Sequence, residues 1–172
     1  AFVAAPITTL HPMIAAGYSA SDLAGKALCK KDLQRVLGLP EKTSSPLFGL
    51  VTRLVKQKGI DLLAEVLPRI LGLDVQFVIL GAGEPWSHVF FEELARAHPD
   101  RFACRIGFEP AMAHRVIAGS DFFVMPSRFE PCGLTQMYAM RYGTLPVVHA
   151  TGGLDDTVEN FNEATLEGTG FK

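Results

Sequence analysis

Hydrophobic and polar positions change rhythm along this chain in a regular way. Residues 47–54 are almost continuously apolar, as are 75–80, 102–106, 122–125 and 145–149. Short runs of this kind, rich in Val, Ile, Leu and Phe and bounded by Gly, Pro or Asp, read as buried strands. Between them the apolar spacing moves to three and four. Leu62, Leu63, Val66, Leu67 and Ile70 recur as the inward face of a helix predicted over 60–71. Further helices are predicted over 86–97, 111–118 and 134–142, with a last one starting near Leu154. Ahead of the alternation, 19–37 reads as a helix with Ser21 as N-cap. Its apolar face is Leu23, Ala27, Leu28, Leu33 and Leu37, and Gly38 is its stop. A linker over 40–46 follows.

Apolar strands alternating with amphipathic helices imply a parallel sheet covered on both faces, since a strand buried on both sides has no polar face to alternate with. Right-handed crossovers then give a doubly wound, Rossmann-like α/β domain. The predicted organisation is an extension and linker with one helix over 1–45 and the Rossmann-like domain over 46–172. The closing Thr169-Gly170-Phe171-Lys172 reads as entry into a further strand. Such sheets bind ligands at the carboxyl ends of their strands, so the loops after each strand are where chemistry is expected.

Those loops are where polar residues collect. Arg53 and Lys58 follow the first strand and flank a turn before a helix. Two cations at a positive helix end are unfavourable by themselves, and a bound anion would account for them, although a solvated basic loop would also do. The second strand leads into Gly81-Ala82-Gly83, which begins a dinucleotide-type glycine pattern but has Trp86 where the third glycine belongs. A tight turn with close backbone approach is the simpler reading. Phe108, after the third strand, could pack on a nucleobase or be core. After the fourth strand comes Ser127-Arg128-Phe129-Glu130-Pro131-Cys132-Gly133-Leu134-Thr135-Gln136. It sets a lone carboxylate, Glu130, beside a helix start near Gly133. That carboxylate can cap its own helix or accept hydrogen bonds from sugar hydroxyls, and the helix N-terminus offers N–H groups to phosphate. Gly152-Gly153, after the fifth strand, are a glycine turn or another set of N–H donors. Together these ends suggest a nucleotide-sugar cleft.

Composition narrows the classes. A chain of 172 residues, 48% hydrophobic and 20% charged, has the make-up of one ordinary globular core. A formal net charge of -2 gives no electrostatic case for nucleic acid or an anionic membrane. No apolar run approaches the roughly 20 residues of a membrane-spanning helix, and the opening 1–20 carries no basic leader of a secretion signal. Cys29, Cys104 and Cys132 lack a Cys-x-x-Cys spacing, and the five histidines show no ligand spacing. Reduced thiols, a cytoplasmic setting and no metal are therefore expected.

These residues carry a family likeness. The chain resembles the C-terminal domain of bacterial glycogen synthases and starch synthases, retaining glucosyltransferases of the two-Rossmann-domain type. The likeness lies in Tyr18-Ser19 with Leu23-Ala24-Gly25-Lys26, Arg53 with Lys58-Gly59, Gly81-Ala82-Gly83, and residues 127–136. It continues through residues 142–148 and Thr151-Gly152-Gly153-Leu154 with Asp156-Thr157-Val158. The resemblance implies a catalytic set of Glu130, Arg53 and Lys58, the cations holding the diphosphate of ADP-glucose and Glu130 accepting hydroxyls of the donor glucose. It also implies that Cys132, Gly133, Leu134 and Thr135 lay backbone N–H groups on glucose and phosphate, and that Phe108 packs beside adenine. Broader relatives carry a second Glu eight positions after the first, where this chain has Tyr138. Glycogen and starch synthases lack it too. ADP-glucose is then a donor substrate, with no cofactor required. The α-1,4-glucan acceptor would be held through an N-terminal domain that is not among these residues, and the domain over 46–172 would be cut short at its C-terminal end. UDP-glucose as donor, another acceptor, and a module that only binds nucleotide remain the alternatives.

Overall fold

The computed structural model describes residues 13–172. Five strands form one parallel sheet: β1 (Leu47–Val51), β2 (Gln76–Gly81), β3 (Phe102–Ile106), β4 (Phe122–Met125) and β5 (Leu145–Val148). Their order is β3-β2-β1-β4-β5. Leu50 stands beside Ile79, Val78 beside Ala103, Phe48 beside Phe122, and Val124 beside Val147. The chain therefore builds outward from β1 to one edge, returns, and builds outward again from β4. The crevice above the carboxyl ends of β1 and β4 is the switch point at which such sheets take ligands.

Among the described residues six α-helices cover the sheet: α1 (Ala24–Val36), α2 (Ile60–Ile70), α3 (Pro85–Ala97), α4 (Pro110–Gly119), α5 (Thr135–Arg141) and α6 (Gly152–Thr157). On one face Leu47, Val78, Leu80 and Phe123 pack with Leu33 of α1, Val116 of α4 and Ala139 of α5. On the other, Leu50, Phe77 and Ile79 pack with Leu63 and Leu67 of α2 and Phe91 of α3. Every residue of β2 is buried, the result that an unbroken apolar run on a two-sided sheet requires. The doubly wound α/β fold expected from the pattern is the one observed.

Several boundaries and faces differ from expectation. The first helix begins at Ala24, and Asp22 rather than Ser21 meets its start, its Oδ1 accepting from the Ala24 N–H at 3.0 Å. Leu23 and Leu28 are exposed, whereas Cys29, Lys30, Leu33 and Gln34 are buried. Lys30 donates to the Ser45 carbonyl at 2.8 Å and pairs with Asp121 at 2.6 Å. Gln34 Nε2 donates to Gln76 Oε1 at 2.6 Å. Buried polar groups with partners cost little, so Lys30 and Gln34 share the inward face with Cys29 and Leu33 while Leu23 and Leu28 face water. This helix joins the core of β1 and β2 through Cys29 and Leu33, flanked by Tyr18 before it and Leu39 after it. In α2 the buried stripe is Ile60, Leu63 and Leu67. Leu62 and Val66 instead border an open apolar groove of about 390 Å³ with Leu73, Phe48, Val124 and Val147. The strand predicted to reach Leu54 ends at Val51. Leu54 makes only an isolated bridge to Gly83, and Phe171 a single parallel bridge to Val147.

A partly buried cation ties the layers together. Lys26 donates to the carbonyls of Ala118, Ser120 and Tyr142 at 3.0–3.2 Å and to Thr144 Oγ1 at 2.8 Å. Burial pulls its pKa down from an ordinary 10.5 to about 8, against the opposing pull of Asp121. Among the described residues no helix is long and apolar enough to cross a membrane.

Candidate functional site

The loop from β1 makes a short 3-10 turn, Lys56–Lys58, before α2. That turn brings Lys58 against the loop after β4, where its ammonium forms an ion pair with Glu130 Oε2. Both side chains are mostly buried, at 17% and 12% exposure. Ser127 Oγ donates to the same carboxylate oxygen at 3.3 Å. The carboxylate is thus held by a side chain of its own loop and a cation from a neighbouring one. No side-chain bond to the start of α5 is formed, and the reading of Glu130 as a simple helix cap is not the arrangement seen.

The Glu130 loop is gripped from two sides. Toward α2, the Arg128 N–H donates to the Gln57 carbonyl at 2.9 Å, Gln57 Nε2 donates to the Phe129 carbonyl at 3.3 Å, and Arg128 pairs with Asp61 at 2.9 Å. Toward α6, the Gly153 N–H donates to the Glu130 carbonyl at 3.0 Å. A Cβ on Gly153 would sit well inside van der Waals contact of the Cys132 carbonyl, so that approach needs glycine. His149 Nδ1 lies 2.9 Å from the Ser127 carbonyl. A carbonyl only accepts, so Nδ1 carries the proton there.

Two pockets adjoin across the switch point. A small one of about 70 Å³ is lined by Thr52, Lys58, Ser127, Glu130, Gly133 and Thr135, with Leu134 at its edge. A larger one of about 400 Å³, with mostly apolar walls, is lined by Thr52, Arg53, Gly81, Ala82, Phe108 and Thr135. Thr52 and Thr135 belong to both, which makes the pair one crevice with a polar end and an apolar end. Among the described residues Glu130 is the one carboxylate lining either pocket.

The predicted site residues fall into this frame unevenly. Lys58, Glu130, Gly133, Leu134 and Thr135 come together at the polar end. Arg53 and Phe108 stand together at the apolar end, so the two cations are split between adjoining pockets instead of sharing one. Cys132 is exposed and lines neither pocket. The Gly81-Ala82-Gly83 turn is a backbone contact: the Leu54 N–H donates to the Ala82 carbonyl at 2.8 Å and the Glu84 N–H to the Leu54 carbonyl at 2.8 Å. The Gly153 N–H, a candidate donor to ligand, is already engaged by Glu130. Thr52 and Ser127 were missed as site residues. Both sit just beyond a strand's carboxyl end, so the rule that located the cleft would have located them.

Chemically, the polar end offers an ammonium and a carboxylate fixed a hydrogen bond apart. No protein group accepts from the backbone N–H of Gly133 or Leu134 among the described residues. The apolar end offers a flat aromatic surface with a guanidinium beside it. A ligand with an anionic centre, a polyhydroxylated arm and a planar apolar arm matches that order.

Comparison with known proteins gives the same direction. Residues 33–171 match the family described as glycosyl transferases group 1. Glycogen synthase 1 of Geobacter metallireducens is 65% identical over 163 residues, 95% of this chain and 32% of that protein. A glycogen synthase of Anaeromyxobacter dehalogenans is 57% identical over 161 residues, 94% of this chain and 34% of that protein. Among solved structures, the catalytic domain of starch synthase IV from Arabidopsis thaliana, bound to ADP and acarbose, superposes with a TM-score of 0.85 at 40% identity. That match covers 94% of this chain and 33% of the other. The chain thus spans about a third of the length of the relatives it matches. The resemblance to glycogen and starch synthases read from residues 127–136 and their companions is borne out.

Proposed function

The chain belongs to the group 1 glycosyl transferases, and from that premise we propose that it is the donor-binding part of an α-1,4-glucan synthase that uses ADP-glucose and retains configuration. The observation that carries this reading is the Lys58–Glu130 pair, steadied by Ser127, at the mouth of a crevice whose other end holds Arg53 and Phe108. In the reading, adenine lies toward Phe108, the diphosphate between Arg53 and Lys58, and glucose against Glu130. The α-glucan acceptor would approach from a second domain, as the threefold length of the relatives allows.

The chemistry follows from charge. Breaking the bond between glucose C1 and the phosphate oxygen leaves positive charge on the ring and negative charge on ADP. Lys58, Arg53 and the outward N–H groups of Gly133 and Leu134 stabilise the second, and such preorganised electrostatics usually contribute most to a rate. As the bond from C1 to the glucan hydroxyl forms, its proton passes to the departing phosphate. Retention by a double displacement would need a carboxylate nucleophile a short distance from an acid partner. Glu130, paired with Lys58 and the one carboxylate lining the crevice among the described residues, suits a hydroxyl acceptor better than a nucleophile with a carboxylic acid partner.

The test is transfer of labelled glucose to a glycogen primer by the full-length enzyme, with ADP-glucose and UDP-glucose in parallel. Preferential incorporation from ADP-glucose with an α-linked product is expected. Incorporation only from UDP-glucose would replace the donor, and no incorporation from either would remove the proposal.

A further inference from the structure

Gln136 closes the run that carries Glu130, yet it lines neither pocket and has no part in the chemistry above. Its side chain is fully buried. Its Nε2 shares two hydrogens among three acceptors, the Gly133 carbonyl at 2.9 Å, Thr157 Oγ1 at 3.0 Å and the Cys132 carbonyl at 3.3 Å. The Thr157 hydroxyl hydrogen is committed to the Gly153 carbonyl at 2.5 Å, so toward Gln136 that oxygen can only accept. These contacts fix which way the amide faces, because turning it would press Oε1 against two carbonyl oxygens. Oε1 itself is buried with no hydrogen-bond partner. Leaving an acceptor unpaired in the interior is costly, and here the cost is accepted to keep the NH2 group on the two carbonyls. Gly133 completes the fit. It has φ +67°, and a Cβ there would lie 2.6 Å from Gln136 Oε1.

A trans peptide points its N–H opposite to its C=O. Drawing the Cys132 and Gly133 carbonyls inward therefore turns the N–H groups of Gly133 and Leu134 outward, and both residues line the polar pocket beside Glu130. We propose that Gln136 is a positioning residue that holds the Cys132–Gly133 peptides so that these two N–H groups face the donor's phosphate and sugar. The same amide links the turn through Thr157 to Gly153, whose own N–H holds the Glu130 carbonyl. One buried side chain thus sets both the N–H groups and the backbone beneath the carboxylate. The consequence for transfer rests on the reading under Proposed function, whereas the claim about backbone geometry does not.

Two variants and two measurements test it. Gln136→Met keeps the length of the side chain and removes both donors. Gln136→Glu keeps the shape, lacks donors when ionised, and regains one O–H donor when protonated, which burial promotes at unusually high pH. In nitrogen-relaxation measurements on the chain, the Gly133 and Leu134 amides should fall from order parameters of about 0.85 to below about 0.6 in Gln136→Met, with β1–β3 unchanged. In the full-length enzyme, kcat/KM for ADP-glucose should drop about 10- to 100-fold in both variants, somewhat less than loss of a whole preorganised donor, while the KM for glucan stays. Gln136→Glu alone should recover several-fold as pH is lowered from 8 to 6. Unchanged amides in Gln136→Met would overturn the positioning role, and so would a loosening spread across the whole sheet. A Gln136→Glu profile parallel to that of Gln136→Met would also overturn it. Mobile amides in a variant of a parent that transfers no glucose would support the geometry and remove the proposed reaction instead.

Discussion

The loops after β3 and β4 sit at the same edge of one sheet and are built in opposite ways. The β4 loop is bound on every side: Lys58 and Ser127 on its carboxylate, Gln57 and Asp61 on its Arg128 flank, and Gly153, His149 and Gln136 on its backbone. The β3 loop is nearly bare. Phe108 is 83% exposed, and Gly107, at φ +139°, has nothing within 4 Å of where a Cβ would be. Under the proposed function the difference matches two demands made of a transferase. An end where bonds change would need groups fixed in advance, since misplacement by an ångström costs rate. An end that holds a planar base would need only a surface, since an aromatic can settle onto its ligand when it arrives.

The sharpest way to break this comparison is at Glu130. In the full-length enzyme, Glu130→Ala should lose at least ~3 kcal/mol of transition-state stabilisation, with a fall in melting temperature beside it, because Lys58 is left mostly buried without its partner. Near-normal kcat/KM would show the gripped loop to be structural only.

The cations come next and separate the two ends. Lys58→Ala and Arg53→Ala should each weaken ADP binding by about 1.5–3 kcal/mol, as charge-assisted bonds to phosphate do. Titration calorimetry with adenosine should show no loss for either. A loss of adenosine binding in Lys58→Ala would mean that the polar end also shapes the apolar one.

A smaller effect is expected from Phe108→Ala, about 0.5–1.5 kcal/mol in ADP affinity, the usual worth of an aromatic stacking partner. Inorganic diphosphate should bind the variant and the parent alike, and an unchanged melting temperature should accompany it. A large fall in melting temperature would identify Phe108 as a packing residue.

The smallest is a pH trend in the scaffold behind the gripped loop. Lys26 has its pKa lowered from 10.5 to about 8 by burial. Between those values the unfolded chain binds more protons than the folded one, so stability rises with pH through that window. Denaturation of the parent should show this rise, and Lys26→Met should lack it. A parent curve that falls from pH 8 to 10.5 relative to Lys26→Met would mean that the four oxygens around the ammonium outweigh its desolvation.

Sequence and structure part company at particular residues. The five strands were legible to within a few residues, because a strand buried on two faces must be apolar throughout and few other elements are. The helix faces were less so. Leu23 and Leu28 point to water while Lys30 and Gln34 go inside, and nothing local announces Asp121 and Gln76 as the partners that make this affordable. Leu62 and Val66 fit the helical period as well as Leu63 and Leu67 do. Only the packing of α2 on the sheet decided between them.

For the site, position along the chain was enough to put Arg53, Lys58, Phe108 and Glu130 at strand ends, since in a parallel sheet every such end lies on one edge. By itself, then, the sequence determined the fold class, the edge on which the candidate site residues lie, and the run of residues that carries the family likeness. The strand order is what set the ends of β1 and β4 side by side, brought Lys58 onto Glu130, and sent Arg53 to Phe108 instead. The same packing turned Gln136 inward and engaged the Gly153 N–H, while the N–H groups of Gly133 and Leu134 have no protein acceptor among the described residues. Periodicity is a local property, set by the geometry of one element. Pairing between loops tens of residues apart depends on how elements are stacked, and that is decided only when the sheet is assembled.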